Sequence, residues 1–492
     1  MSHKKAVVIG SGIAGLASAI RLIDKGYVVD LFEKNESAGG KLALLKNDGF
    51  VFDTGPSLFT QPEHLETIFS LAGEPLSSYF QYKRLDNACR YFFENGIIVN
   101  GYTSKEKFGE ELFNKTGEAV ENVVSYLQKS EERYHSLAKI FLNENLHEIR
   151  TWTNSDTISA LKKTSPQLLF KSLNSFNKSR LKTPEAVRIF NRFSTYNGSN
   201  PFQAPAMLSI IPHLEHNEGV YYPKGGMISI INALYALAVK KGVCFHFNSA
   251  VNKIEVKDGI VQGIIANDVF YPSEIVLSNA DVHFTYQNLL NDKGAANSTA
   301  GQERSSSALV FYWGINKVFP ELYLHNIFFT KHQEEEFSSL FQLKRFYHDP
   351  TIYINITSTM EAGMAPAGMQ NWFVMINAPS GTVFSENDLN EIRKSVLWKL
   401  NRMLKTRLED HIVFESMMTP ADITANTNAF EGALYGASSN NMFSAFRRHP
   451  NFSRKYRGLF FAGGTVHPGG GIPLCFRSAS IAVDLATRPA RS

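Results

Sequence analysis

Cysteine is scarce in this chain. Cys89, Cys244 and Cys475 are three among 492 residues, far apart and odd in number. No C-x-x-C pair occurs, which argues against a disulfide framework or a cysteine zinc site and fits a reducing compartment. Long apolar runs are missing as well: no stretch of about 18 apolar residues is present, so no spanning helix is expected. An apolar strand already starts at Lys4, leaving no room ahead of it for a signal peptide. Charge of one sign is not in excess. Fifty Lys and Arg face 46 Asp and Glu, a net +4, which gives no case for nucleic acid as a partner. Repeats and low-complexity tracts are absent. What remains, 43% hydrophobic and 20% charged, is globular, and 492 residues exceed one simple core. Two or more domains are expected, in a protein that is soluble or sits on a membrane surface.

The most informative feature present is local. Lys4-Lys5-Ala6-Val7-Val8-Ile9 reads as a short buried strand, and Gly10-Ser11-Gly12-Ile13-Ala14-Gly15 follows as G-x-G-x-x-G. A helix and then the strand Val28–Glu33 complete a β-α-β unit. Gly10 allows a sharp turn, Gly12 lets backbone approach a pyrophosphate, and Gly15 lets the helix lie close on the sheet. The helix N-terminus offers free N–H groups and a positive dipole end to phosphates. Glu33, eighteen residues beyond Gly15, stands where a carboxylate holds ribose hydroxyls. These parts in order predict a dinucleotide site.

Along the rest of the chain, residues 105–195 are polar, Gly-poor and of helical period, as in Glu118–Phe141. Residues 219–281 return to α/β character: a helix over Ile228–Lys241, strands at Cys244–Phe247 and Val251–Val256, a turn at Lys257-Asp258-Gly259, and a strand at Ile275–Leu277. Ser307–Gly314, Thr351–Thr357 and Asn371–Asn377 read as strands, and 385–408 as a helix. The end is strand Gly458–Ala462, Gly-rich loop Gly463–Gly471 and helix Ile472–Leu485. The expected architecture is α/β: a discontinuous Rossmann-type dinucleotide-binding domain (1–100, 219–300, 420–492) with a second lobe of mixed sheet and helices (101–218, 301–419).

Four ordered motifs resemble the flavin-dependent carotenoid desaturases, the phytoene-desaturase family, which is related in fold to monoamine oxidases. They are the β-α-β unit; Glu33-Lys34 with Gly39-Gly40-Lys41, followed by Phe52-Asp53-Thr54-Gly55-Pro56-Ser57; Tyr222-Pro223-Lys224-Gly225-Gly226-Met227 with Val251 and Ser278-Asn279-Ala280-Asp281; and Phe461–Pro473. Leu324–Phe329, Leu434–Met442 and Phe446–Asn451 look like the bacterial 1-hydroxycarotenoid 3,4-desaturase subgroup. Leu474-Cys475-Phe476 departs from the small pair that phytoene desaturases carry after the proline.

The resemblance implies non-covalent FAD held by Gly10, Gly12, Ile13, Ala14, Gly15, Glu33, Lys34, Gly40, Lys41, Gly55, Pro56, Ser57, Leu58, Val251, Asn279, Ala280, Gly464, Thr465, Gly471, Ile472 and Pro473. The helix after Ile472 is expected to point its N-terminus at the flavin and stabilise negative charge there. His467 is expected to be loop architecture, and Cys475 not a flavin attachment. No metal is expected, and no general base is assigned. The implied reaction is 3,4-desaturation of the acyclic end of a 1-hydroxylated carotenoid, with oxygen or a quinone as electron acceptor. His325, Asn326 and Asn355 are candidates for reading the hydroxyl. The implied location is cytoplasmic, peripheral on the inner face of the membrane, docked through residues 158–182. That segment holds six basic and no acidic residues, interleaved with Leu168, Leu169, Phe170, Leu173 and Phe176. Alternatives carried alongside are a phytoene- or neurosporene-type desaturase, an amine or porphyrinogen oxidase, and a flavin-free prenyl binder of the GDP-dissociation-inhibitor kind.

Overall fold

The computed structural model describes residues 4–155, 157–159 and 165–488. Its first sheet is five-stranded and wholly parallel, in the order Leu459–Phe461, Ile275–Ser278, Lys5–Ile9, Val28–Phe32, Cys244–His246. Parallel sheets need both faces covered, and the alternation along Lys5–Ile9 shows how this is done. Ala6 and Val8 pack with helices Ile13–Asp24, Ile228–Lys240 and Ile472–Ala486. Val7 and Ile9 face the three-stranded antiparallel sheet of Val251–Lys257, Ile260–Ala266 and Val269–Pro272. Asp258 and Gly259 take positive φ at the hairpin turn expected there.

The second sheet has seven strands in the order Ile412–Met418, Ser307–Ile315, Gln370–Ala378, Ile352–Asn355, His325–Phe328, Asn87–Phe92, Ile98–Tyr102. One face, with Leu309, Phe311, Trp313, Val374 and Ile376, packs on helix Glu386–Leu404. The other face turns toward the nucleotide sheet. The hairpin 87–102 belongs to this second sheet, because Asn326, Ile327 and Phe328 pair with Arg90, Tyr91 and Phe92. The expected domain boundary at residue 100 therefore lies inside a hairpin, and the change of sheet comes after Arg84. Strands of either lobe carry the same apolar signature, so periodicity does not tell which sheet they join.

Residues 105–192 form helices Lys105–Thr116, Val120–Asn143, Ile149–Thr153, Gln167–Phe170, Leu173–Lys178 and Pro184–Arg192. No helix among the described residues is long and apolar enough to cross a membrane. The docking segment read from sequence is corrected in part. Leu168, Leu173 and Phe176 are buried core residues, Leu169 is half-buried, and Phe170 alone of the five is exposed, at 70%. Short helices fold this stretch back on Val120–Asn143, which turns the interleaved apolar positions inward. Lys162 and Lys163 lie outside the described residues.

Candidate functional site

One cavity of about 1520 Å³ runs between the two lobes. That exceeds the roughly 300–1,000 Å³ usual for a small-molecule site. Its nucleotide wall is built at the carboxyl ends of the parallel strands, where open α/β sheets place ligands. Gly10 leaves the first strand at φ +93° and its N–H donates to Phe32 O at 2.8 Å, closing the turn. A Cβ on Gly15 would stand 2.0 Å from Gly10 O, so the helix lies as close as a missing side chain permits. A Cβ on Gly12 would meet Asn279 Oδ1 at 2.8 Å. Asn279 links three strand ends: its N–H donates to Ile9 O at 2.8 Å and its Nδ2 to Ala462 O at 2.8 Å.

Glu33 is 5% exposed at the end of the second strand. One carboxylate oxygen accepts from Ser11 N at 2.9 Å and Ser11 Oγ at 2.7 Å, and the other from Asn35 N at 3.0 Å. The acid thus shapes the glycine turn as well as facing the cavity. Lys34 lies at the rim and donates to Ala425 O at 3.1 Å. Lys41 Nζ donates to Leu434 O at 2.7 Å. Burial pulls the Lys41 ammonium below its usual range, against the opposing pull of Asp281.

Two further motifs are joined through one carboxylate. Asp53 accepts from Met227 N at 2.9 Å and Ile228 N at 3.2 Å, holding the N-terminus of helix Ile228–Lys240. Burial raises its carboxyl and these N–H groups lower it.

Two helices end in the cavity without a side-chain cap or an acid in their first turns: Ile13–Asp24 after Gly12, and Ile472–Ala486 after Gly471. Surface helices Lys105–Thr116, Glu386–Leu404 and Pro420–Thr427 are capped by Ser104, Ser385 and Thr419. The two open ends leave N–H groups and positive dipole ends for an anionic or electron-rich ligand.

Of the residues expected at the cofactor, Gly10, Gly12, Ile13, Ala14, Glu33, Lys34, Gly40, Lys41, Gly55, Pro56, Ser57, Leu58, Val251, Asn279, Ala280, Gly464, Thr465, Gly471, Ile472 and Pro473 line this one cavity. Gly15 sits behind it, against Gly10. His467 also faces the cavity, but its Nε2 is 2.8 Å from Glu144 O, and burial pulls its imidazole down to about 3. The Cys475 thiol is pushed up to about 11 by burial, against a downward pull from Lys41, which keeps it protonated.

The far wall comes from the second sheet and the helices: Ala308, Val310, Phe373, Met375, Met207 and Ile211 among others. Several polar links here escape sequence reasoning. Arg448 donates to Tyr435 O at 2.9 Å, Gly464 O at 3.1 Å and Ala437 O at 2.6 Å, clamping two loops. Arg192, whose side chain is 11% exposed, pairs with the buried Glu215 at 2.6 Å. Ser57 Oγ, Tyr353 OH and His325 Nδ1 form a chain with both links at 2.7 Å. Among the three candidates for a hydroxyl reader, His325 lines the cavity, whereas Asn326 and Asn355 do not. Asn326 Nδ2 is held by Tyr323 O at 2.6 Å, and Asn355 Nδ2 by Leu324 O at 3.2 Å. Only Asp30, Cys244 and His246 form a metal-like cluster among the described residues, and it lies away from the cavity at a sheet edge.

A family profile described as flavin containing amine oxidoreductase matches residues 13–272. The chain is 44% identical over 98% of its length, and 99% of the relative's, to a 1-hydroxycarotenoid 3,4-desaturase of Flavobacterium sp. (strain P99-3). It is 31% identical, with 98% of each chain covered, to a 4,4'-diapolycopene oxygenase of Methylomonas sp. In fold it resembles an oxidoreductase from Methanosarcina mazei, with a TM-score of 0.64 at 18% identity over 98% of this chain and 99% of that one. Putrescine oxidase bound to putrescine gives 0.63 at 13% identity, with 99% of each chain covered. The glycine cradle, the two open helix ends and these matches lead to one conclusion: the chain belongs to the flavin-containing amine oxidoreductases and, within them, to the FAD-dependent carotenoid desaturase family.

Proposed function

We propose that the protein is an FAD-dependent desaturase that introduces a C=C bond into the acyclic end of a 1-hydroxylated carotenoid, at the 3,4 position. The observation that carries this reading is the continuity of the cavity: the glycine cradle and open helix ends at one side share one space with a long, largely apolar wall at the other. The 44% match favours dehydrogenation over the oxygenation named for the relative matching at 31%.

The residues fit the cofactor. Gly12 and Gly40 would leave room for its pyrophosphate, Glu33 would hold its ribose, Val251 would lie against its adenine, Gly55, Pro56, Ser57 and Leu58 would line its ring system, and the open N-terminus of the Ile472 helix would stabilise negative charge on it. Bound FAD would supply a two-electron acceptor for the hydride of an allylic C–H, and a proton would leave the neighbouring carbon, so that two electrons and two hydrogens depart. The chain's own part is to position the bond and exclude water, since a cation spread along a polyene reacts with water. Oxygen or a quinone would be the final electron acceptor.

The test is relative turnover, with quinone present, of a 1-hydroxylated acyclic carotenoid, its dehydroxylated analogue and phytoene. The hydroxylated substrate is expected to win by orders of magnitude, because a site built to hydrogen-bond a hydroxyl is left unpaired by the analogue. Comparable rates on all three would refute the 1-hydroxy assignment and leave the desaturase reading standing.

We also propose peripheral docking on the inner, cytoplasmic face of the membrane, where such a substrate dissolves. Leu169, Phe141, Leu142 and Phe446 line one end of the cavity, and Ile149 (82% exposed), Phe170 and Phe443 stand in solvent. Basic residues of 158–182 supply attraction to anionic lipid. Charge reversal at Lys162, Lys163 and Lys171 is expected to abolish flotation with anionic liposomes. Unchanged flotation would remove this segment from the account.

A further inference from the structure

We infer that His325 reads the hydroxyl of the substrate: its Nε2–H donates to the oxygen on carbon 1 of the polyene end. This rests on the reading above and names the residue that makes the site selective. The argument starts from strand pairing. His325–Phe328 runs antiparallel to Ile352–Asn355, which sets His325 opposite Asn355. Asn355 Nδ2 lies 3.1 Å from His325 Nδ1 and also donates to Leu324 O at 3.2 Å. The carbonyl partner fixes which end of the amide is nitrogen, and an amide nitrogen only donates. His325 Nδ1 is therefore the acceptor, and the neutral ring carries its proton on Nε2.

That Nε2–H is buried and has no hydrogen-bond partner among the described residues. His325 is 1% exposed and lines the cavity. Buried polar groups are rarely left unpaired, and one in a ligand cavity is a place for a ligand atom. Position agrees with the chemistry. The carbon-1 hydroxyl is only three bonds from carbon 3, so its reader must stand beside the reacting bond and not at the far end of a tunnel. His325 meets this requirement on the proposed cofactor placement: Tyr353 OH links its Nδ1 to Ser57 Oγ, and Ser57 belongs to the cavity-lining strip 55–58 that would face the flavin. With Nδ1 an acceptor, Tyr353 OH donates to it at 2.7 Å and shares its one lone pair with the longer Asn355 contact, which leaves Ser57 Oγ to donate to Tyr353. Arg192, the other wall residue with an unpartnered nitrogen, is committed through its guanidinium to Glu215 and Tyr91.

The experiment uses flavin-loaded enzyme and the ratio of kcat/KM for a 1-hydroxylated carotenoid to that for its dehydroxylated analogue. His325→Leu is expected to cut this ratio by about 10- to 100-fold. The loss falls on the hydroxylated substrate, and the analogue, which leaves the Nε2–H unpaired in the wild type, does not share it. His325→Gln, whose amide N–H reaches in the same direction, is expected to keep an intermediate ratio, and it carries the test should the leucine variant fail to fold. A wild-type ratio that is large and persists in both variants overturns the inference and leaves the proposed function standing. Equal losses on both substrates assign His325 a structural role and overturn it as well. A wild-type ratio near one refutes the 1-hydroxy reading and the inference together.

Discussion

Gly12→Val is expected to give a folded but colourless protein, with flavin affinity reduced at least about 100-fold, or roughly 2.7 kcal/mol. Gly12 has φ −69°, so backbone strain is not the cause. The cause is space: a side chain there points where the cradle must admit a pyrophosphate, and its Cβ already falls 2.8 Å from Asn279 Oδ1. The clash with Asn279 is a second way to lose flavin, by distorting the turn. The double variant Gly12→Val/Asn279→Ala, set beside Asn279→Ala alone, separates them: the pair removes the protein clash and keeps the blocked approach, and the single shows what loss of the Asn279 amide costs by itself. The double variant is expected to be colourless too. Glu33→Ala is milder. It would remove the charge-assisted ribose contact proposed for this carboxylate, worth about 1.5–3 kcal/mol before compensation, and it frees Ser11 N, Ser11 Oγ and Asn35 N, which the carboxylate now holds. Flavin content by absorbance, set against protein concentration, is the measurement. Normal flavin in purified Gly12→Val would sink the nucleotide assignment.

The contrast between Gly12 and His325 shows what can be read from one chain without its structure. The cradle is local: strand, glycines, helix and acid follow within thirty residues, and each residue type has its own physical reason to be there. The same holds for helix Ile228–Lys240, whose expected end differs by one residue, and for helix Ile472–Ala486. The substrate wall is not local. Ser57 meets Tyr353 across 296 positions, and Arg192 meets Glu215 across 23. A polar residue in an apolar strand says only that it needs a partner. His325, Asn326 and Asn355 look alike in sequence, and only the register shows that the two asparagines are spent on backbone carbonyls. Asp53 is an instructive intermediate: two motifs were legible, but not that one carboxylate ties them together. The apolar residues at 168–176 show the reverse error, because an interleaved pattern fits a membrane face and a folded-back core equally well.

Replacing Glu215 by Leu is expected to destabilise the protein by about 3–5 kcal/mol, the usual cost of orphaning one member of a buried ion pair. Glu215 is 1% exposed, and Arg192, at the end of helix Pro184–Arg192, lies 2.6 Å from it. Tyr196 OH also donates to Glu215, and the guanidinium stacks over Phe193 at 4.5 Å and Tyr91 at 5.4 Å. Without the carboxylate, a cation remains among rings and the apolar residues of the cavity wall. The pair also predicts a pH dependence with a definite sign. Burial, the largest single influence, pushes the Glu215 carboxyl up, but Arg192, His216 and the Tyr196 hydroxyl together hold the group below its ordinary range. A depressed folded-state value stabilises the fold above the unfolded value, near pH 4.3, and that contribution is lost as pH falls through the folded value. Wild type should therefore lose stability on acidification over a range in which Glu215→Leu loses less. Removing both charges, as in Arg192→Met/Glu215→Leu, is expected to recover most of the deficit, since neither ion then has to be desolvated. Thermal unfolding of the four proteins in this cycle, each at matched flavin occupancy, is the measurement. A double variant as unstable as the single would place the cost in lost packing against Tyr91 and Tyr196 and not in an orphaned charge.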